Sequence, residues 1–396
     1  MRSGHGDVRV ATPRSAPVYT MQRDSWDSTP HARDATSLDN DALLDLAAAC
    51  ETRGAIGLRV EREPDFLALN RLEREGWRVG VANGLTPRSV AGCVSISARH
   101  VYLEGSPRLT AYAGDFKVHP AHRGGAAGDV LTSWACDVAR EWGGDDIPGL
   151  LTVLAGNAPM ERRSEGPRGL PVFTRFATIR SHAIPFVWAR PVVTGGPHVS
   201  VARESDIEEM AELWSRVALD RQFAPVHDAA SLARWIISTP GLGIDSFWVA
   251  RDVQGRIAGF LAAWDQSAFK QVRIIDYPRK LALMRAGINA LTPVTRATPL
   301  PDVGDELHWL TAANVCVPSY EPGVLRALLL AVYAAMRTRG YSCLNIGLDI
   351  RDPLAGALDG LMAQPTDIHA YNTTPAGSYT GPSLRTLPLH HEIALV

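Results

Sequence analysis

The chain has 396 residues, 46% apolar and 21% charged, which fits a globular protein of two or three domains with room for a large core. A formal charge of −2 argues against general nucleic-acid binding, which needs a basic footprint, and nothing in the composition suggests a fibre or a membrane span. The five cysteines, Cys50, Cys93, Cys136, Cys316 and Cys343, have no metal-ligand spacing and read as reduced core residues of a cytoplasmic protein.

Residues 1–39 are polar, charged and interrupted by Pro13, Pro17 and Pro30, so they are expected to be a disordered lead; Met21 is an alternative initiator. Leu43, Leu44, Leu46, Ala47 and Ala48 predict a helix, and a second helical stretch is expected around Phe66 to Leu72. Trp77 to Ala82 and Val90 to Ile96 flank a turn-rich NGLTPRS segment and predict an antiparallel hairpin. A further strand near Arg99 to Leu103 turns at Glu104, Gly105 and Ser106 into a strand ending at Val118.

The central stretch is AYAGDFKVHPAHRGGAAGDVLTSWACDVARE, Ala111 to Glu141. Tyr112 to Val118 alternates as a strand, Pro120 stops it, and Val130, Leu131, Trp134, Ala135 and Val138 recur at helical spacing. Between them Gly124, Gly125, Ala126, Ala127 and Gly128 leave backbone N–H groups unobstructed at a helix N-terminus. Orphan donors and the helix dipole both favour phosphate oxygens there.

At these residues the sequence resembles the GNAT acyltransferase superfamily, whose coenzyme A loop reads Arg or Gln, two residues, Gly, one residue, then Gly or Ala. The pattern falls on Arg123, Ala126 and Gly128, with Ala126 where the family has its central glycine, and Val118, His119, Pro120 match the family's strand end. The resemblance implies an α/β fold of the α+β type, with a mixed, mostly antiparallel sheet flanked by helices. It implies that Leu150 to Leu154 splays from the Tyr112 to Val118 strand, that the gap admits a pantetheine arm bound by backbone of Phe116 and Val118, and that Asn157 bonds the cofactor. Acyl-CoA or acetyl-CoA, or an acyl-phosphopantetheine, is the implied donor and a primary amine the implied acceptor, with no metal.

Amide formation needs a base for the amine and an acid or water for the thiolate. Asp115 is the nearest carboxylate. The family's tyrosine acid is missing after Asn157, where the chain carries Arg162, Arg163, Ser164 and Arg168 instead. Tyr371 and Tyr379, flanking a polar NTTPAGS loop, are the substitutes. Tandem members of the N-myristoyl type use a terminal carboxylate, which makes Val396 a further candidate, although the EIALV ending itself reads as an edge strand.

Prolines and glycines in RPVVTGGPH mark a boundary, after which strand, capped helix and hairpin recur. The chain therefore divides into a lead (1–39), a thioester-binding domain (40–190), a linker (191–198) and a second, degenerate GNAT-like domain (199–396), a tandem of two. In the second copy Trp309 to Val317 and Val324 to Met336 stand for strand and helix. The intervening PSYEPG has Glu321 where a base would help and Pro322 where a donor is lost, so coenzyme A is not expected there. An insertion carrying Lys270, Arg273, Arg279, Lys280 and Arg285 predicts either a solvated basic face or a dock for an acyl carrier protein, as in lipopeptide-type assembly. The reading is an N-acyltransferase; the competing class is a GNAT-like protein that binds a thioester without turning it over.

Overall fold

A computed structural model describes residues 31–53, 56–73, 75–84, 89–165, 172–190, 195–374 and 386–395. The first half opens with strand β1 (Ala32–Asp34), helix α1 (Asn40–Ala49) and the short strands β2 (Thr52–Arg53) and β3 (Gly57–Glu61). Strand β1 lies inside the stretch expected to be a disordered lead: it pairs with Val81 and its neighbours, and Arg33 and Asp39 close the corner at 2.7 Å. Phe66 to Leu72 forms turns and a single 3-10 turn rather than a helix, since Asp65 caps the Leu67 N–H and turns the chain locally.

Strands β4 (Trp77–Asn83) and β5 (Val90–Leu103) make the expected hairpin, and β5 runs on through Arg99, so two predicted strands are one. Glu104 and Gly105, both with positive φ, turn it into β6 (Ser106–Val118), as Gly and a short polar residue allow. Helix α2 (Ala127–Gly143) follows, burying Leu131, Ala135 and Val138 against Val94, Ile96 and Ala111. Complete burial of Leu131 stabilises this contact by about 2 kcal/mol. Then come β7 (Gly149–Leu154), α3 (Ala158–Glu165) and β8 (Val172–Pro185), the last a strand that the sequence reading missed.

The second half contains β9 (His198–Val201), α4 (Ile207–Ala218), β10 (Ala224–Pro225), α5 (Ala229–Ser238), the hairpin β11 (Phe247–Arg251) and β12 (Ile257–Trp264), β13 (Gln271–Asp276), α6 (Arg279–Thr295), β14 (Trp309–Cys316), α7 (Pro322–Met336), β15 (Cys343–Asp349) and β16 (Gln364–Thr374). Part of the first half's order recurs in it, with β13 and α6 inserted before β14. A hairpin leads to a long strand, then to a helix, then to a strand parallel to the long one: β6 pairs with β7 at Ala111–Ala113, β14 with β15 at Trp309–Thr311. Both long strands carry a bulge at a residue in left-handed backbone, Asp115 and Asn314, each with φ 49°, and each next to a register shift against the preceding strand.

The halves do not keep separate sheets. One 13-stranded sheet runs β1-β4-β5-β6-β7-β16-β8-β15-β14-β12-β11-β9, with β10 against β5. Strand β8, from the first half, pairs with β15, while β16, from the second, pairs with β7. This exchange ties the halves through backbone hydrogen bonds, so each relies on the other for its last strand. A second sheet, β13-β3-β2, brings the insertion against the first half. Among the described residues no helix is long and apolar enough to cross a membrane.

Candidate active site

Pairing between β6 and β7 covers only Ala111–Ala113 with Gly149–Leu151. Beyond it β6 continues to Val118 beside β5 alone, so the backbone of Gly114 to Val118 is open on the β7 side, the expected splay. The open edge leads to the loop before α2. His119 anchors it through its N–H to Ala91, and a 3-10 turn over Pro120–His122 follows. Gly124 has φ 83°, where only glycine is unstrained.

Helix α2 begins at Ala127, earlier than its apolar repeat suggests. Among the described residues the N–H groups of Gly124, Ala126, Ala127 and Gly128 have no protein acceptor, while Gly125 reaches only the His122 carbonyl at 3.4 Å. Ala126 lies at φ −76°, ordinary helical backbone, so a methyl replaces the family's glycine here without backbone strain. Arg123 is exposed at the loop, its Nε donating to the Val118 carbonyl at 3.3 Å.

Of the polar residues after Asn157 that the sequence offers either as phosphate contacts or as solvated side chains, Arg163 stands at the loop. Arg163, from α3, lies across the first turn of α2: its Nη1 donates to Asp129 at 2.7 Å and its guanidinium sits 5.7 Å from the centre of the Phe116 ring. A Cβ on Gly128 would come within 2.6 Å of Arg163 Nη2, so that glycine makes room for the arginine. Phe116 and Val118 turn their side chains to α2. Asn157 is exposed and starts α3 by accepting the Met160 and Glu161 N–H groups, each at 2.9 Å.

Of the candidate acid–base residues, Asp115 and Tyr371 lie among the described residues. Asp115 accepts from Arg62 Nη2 at 2.8 Å and from Lys117 Nζ at 2.7 Å, with the Arg62 side chain only 3% exposed. Burial would raise its pKa, but the Arg62 and Lys117 charges hold its carboxyl far below the usual range, which makes it a weak base. Tyr371 is fully buried beside Leu151, Val153 and Phe173, away from any open surface. Tyr379 and Val396 lie outside the described residues.

A cleft of about 150 Å³ lies where the halves meet, its apolar lining made by Leu72, Leu150, Phe223, Val226, Trp235 and Leu395. It shares Glu73, Arg99, Tyr112 and Leu395 with a smaller recess that reaches Gly114 and Asp115 at the β6 bulge. Glu392 and Leu395 of the C-terminal segment enter this cleft. Instead of the expected edge strand, Ile393–Leu395 is a buried 3-10 turn, because the Ala394 carbonyl accepts from Gln266 at 2.8 Å and Lys270 at 3.2 Å.

Glu392 precedes that turn and lines the cleft, its Oε2 accepting the Asn314 N–H at 2.7 Å. Burial pushes its pKa up to about 7 against the opposing pull of backbone donors, Arg99 and Lys270. Burial, and then Arg62, brings Lys270 down to about 7; burial brings His390 and His391 down to about 3, so both imidazoles are neutral near pH 7. No feature of the sequence singled out Glu392; only its position between halves does.

The basic insertion is a solvated face only in part. Lys270 is buried, Arg273 pairs with Glu61 at 2.8 Å, and Arg285 with Asp302; Arg279 and Lys280 stay exposed at the start of α6. Acids brought in by β3 and by the loop before β14 account for the difference.

By sequence the chain matches no family model and no curated protein. By structure it is similar to N-myristoyltransferase of Saccharomyces cerevisiae with bound myristoyl-CoA, at TM-score 0.59 and 12% identity over 95% of this chain and 86% of that one. It is also similar to a GCN5-related N-acetyltransferase from Sphaerobacter thermophilus, at TM-score 0.53 and 15% identity over 88% of this chain and 97% of that one. At these identities the similarity establishes the fold.

Proposed function

We propose that this chain, which has the GNAT fold, is an N-acyltransferase that moves an acyl group from acyl-CoA to a primary amine. The observation that carries the reading is the open edge of β6 leading directly to the unsatisfied N–H groups at the start of α2. Pyrophosphate oxygens suit those donors and the helix dipole, with Arg123 and Arg163 on either side adding charge. The pantetheine amides extend the ladder along Gly114 to Val118, as an added strand would. On this reading the thioester sits by the β6 bulge, where backbone N–H groups stabilise the oxyanion of the tetrahedral intermediate. The amine arrives from the cleft side. The pairing of Lys270, Arg273 and Arg285 with groups of this same chain favours free acyl-CoA over a carrier protein as donor. The neutralised Asp115 and buried Tyr371 favour a second reading, a thioester-binding protein without turnover, unless another group acts as base.

Calorimetric titration with coenzyme A, acetyl-CoA and myristoyl-CoA, repeated with Arg123→Glu, tests the donor site. Micromolar or tighter binding that weakens at least tenfold in the variant is expected. No binding of any of them sinks the donor reading, and binding without release of free thiol in the presence of amines selects the second one.

A further inference from the structure

We infer that the cleft is the acceptor site for a small primary amine with an apolar, aromatic-sized body, and that Glu392 is the base that receives its proton. The inference rests on the acyl-CoA reading for its chemistry and on the cleft's own geometry for its ligand.

Its walls set Leu72, Leu150, Phe223, Val226 and Trp235 beside polar residues that include Glu73, Arg99 and His391, which suits a flat hydrocarbon body that carries a polar group. Against these walls a protonated amine needs one anionic partner. The other acids near the cleft are already paired. Both oxygens of Glu73 accept from Arg99 Nε at 3.0 Å, Glu75 meets His100 at 3.2 Å, and Asp115 holds Arg62 and Lys117. Glu392 has no cation within salt-bridge distance among the described residues; its contacts are the backbone N–H groups of Asn314 and, at 3.4 Å, Ala394. Facing it from the packed elements are Arg99 of β5, Lys270 ahead of β13 and the neutral His391.

The Asn314 bulge fixes the arrangement. Its N–H holds the Glu392 carboxylate while its side-chain oxygen accepts from Trp235 Nε1 at 3.0 Å, so one residue in left-handed backbone aligns the acid with the aromatic wall. The shared residues Glu73, Arg99, Tyr112 and Leu395 make the cleft continuous with the recess at the β6 bulge, so an amine held at Glu392 has a path to the thioester.

The step balances. The acceptor enters as an ammonium ion and Glu392 takes one proton, leaving a neutral amine. The amine nitrogen attacks the thioester carbonyl; a C–N bond forms, the C–S bond breaks, and the nitrogen's surplus proton leaves with the thiolate as free coenzyme A. Glu392 returns its proton to solvent.

The test begins without any thioester. Phenethylamine is titrated calorimetrically into the full chain between pH 6 and 8.5, for the wild type and for Glu392→Gln, which keeps an acceptor for the Asn314 N–H. Wild-type affinity is expected to rise roughly tenfold as the pH passes 7, and the variant to bind weakly at every pH. Turnover with acetyl-CoA, followed by thiol release, is expected to fall at least 100-fold in the variant with KM for acetyl-CoA unchanged, and Glu392→Asp to recover part of it. Absence of phenethylamine binding, or equal, pH-independent binding in both proteins, overturns this inference even if acyl-CoA binds. Conversely, Glu392-dependent amine binding with no acyl-CoA binding overturns the donor reading and the base role while leaving the amine site in place.

Discussion

Gly128→Ala separates the two things that the α2 N-terminus does. The new methyl would sit 2.6 Å from Nη2 and 3.0 Å from Cζ of Arg163, a flexible side-chain end that must swing away from Asp129. For stability the effects oppose each other: replacing a helical glycine gains up to about 1 kcal/mol, and losing a partly exposed ion pair costs about 0–1 kcal/mol. Thermal unfolding should therefore move by only a few degrees. Phosphate binding has no such compensation. A charge-assisted hydrogen bond contributes about 1.5–3 kcal/mol, so displacing Arg163 should weaken coenzyme A binding roughly 10- to 150-fold. Calorimetry on Gly128→Ala and Arg163→Ala, with melting curves for both, reads the two effects. If either variant binds coenzyme A as tightly as wild type while keeping its fold, Arg163 does not contact the phosphates and the proposed placement of the donor is wrong.

Other consequences follow from the buried charges. Asp115→Asn tolerates the left-handed backbone but removes the negative charge that balances buried Arg62, whose Nε and Nη1 have no partner among the described residues; denaturant titration should show a loss of about 3 kcal/mol or more. Because its native pKa is depressed, Asp115 stabilises the fold above its unfolded value near 4 and that contribution is lost as the pH falls below it, so Asp115→Asn should flatten the acid limb of the stability curve. Glu392 has the opposite sign. Its native pKa is raised from 4.5 to about 7, so the stability linked to it is greatest below about pH 4.5 and declines by roughly 3 kcal/mol as the pH rises through 7; Glu392→Gln should remove that decline. Trp235→Phe strips the donor from Asn314 Oδ1, should cost about 1–2 kcal/mol in unfolding free energy, and should weaken phenethylamine binding without changing coenzyme A affinity.

The sequence by itself determined the elements whose signal is local. Apolar runs around a turn-rich segment marked β4 and the start of β5, alternation marked the end of β6, a 3.6-residue repeat marked α2, and glycines at a helix start marked the candidate phosphate loop. Those features depend on neighbours a few residues away, and such neighbours are visible in a string. The tertiary structure decided everything that depends on residues far apart. The exchange of β8 and β16 between halves, the Arg62 that neutralises Asp115 from 53 residues away, and the acids that absorb Arg273 and Arg285 are long-range pairings with no periodic trace. The C-terminal segment shows the reason most directly. EIALV has strand-forming composition, yet Gln266 and Lys270 capture its carbonyl and draw it into a buried turn, bringing Glu392 to Asn314. Local propensity differs by tenths of a kcal/mol per residue, so a few buried hydrogen bonds between distant segments outweigh it.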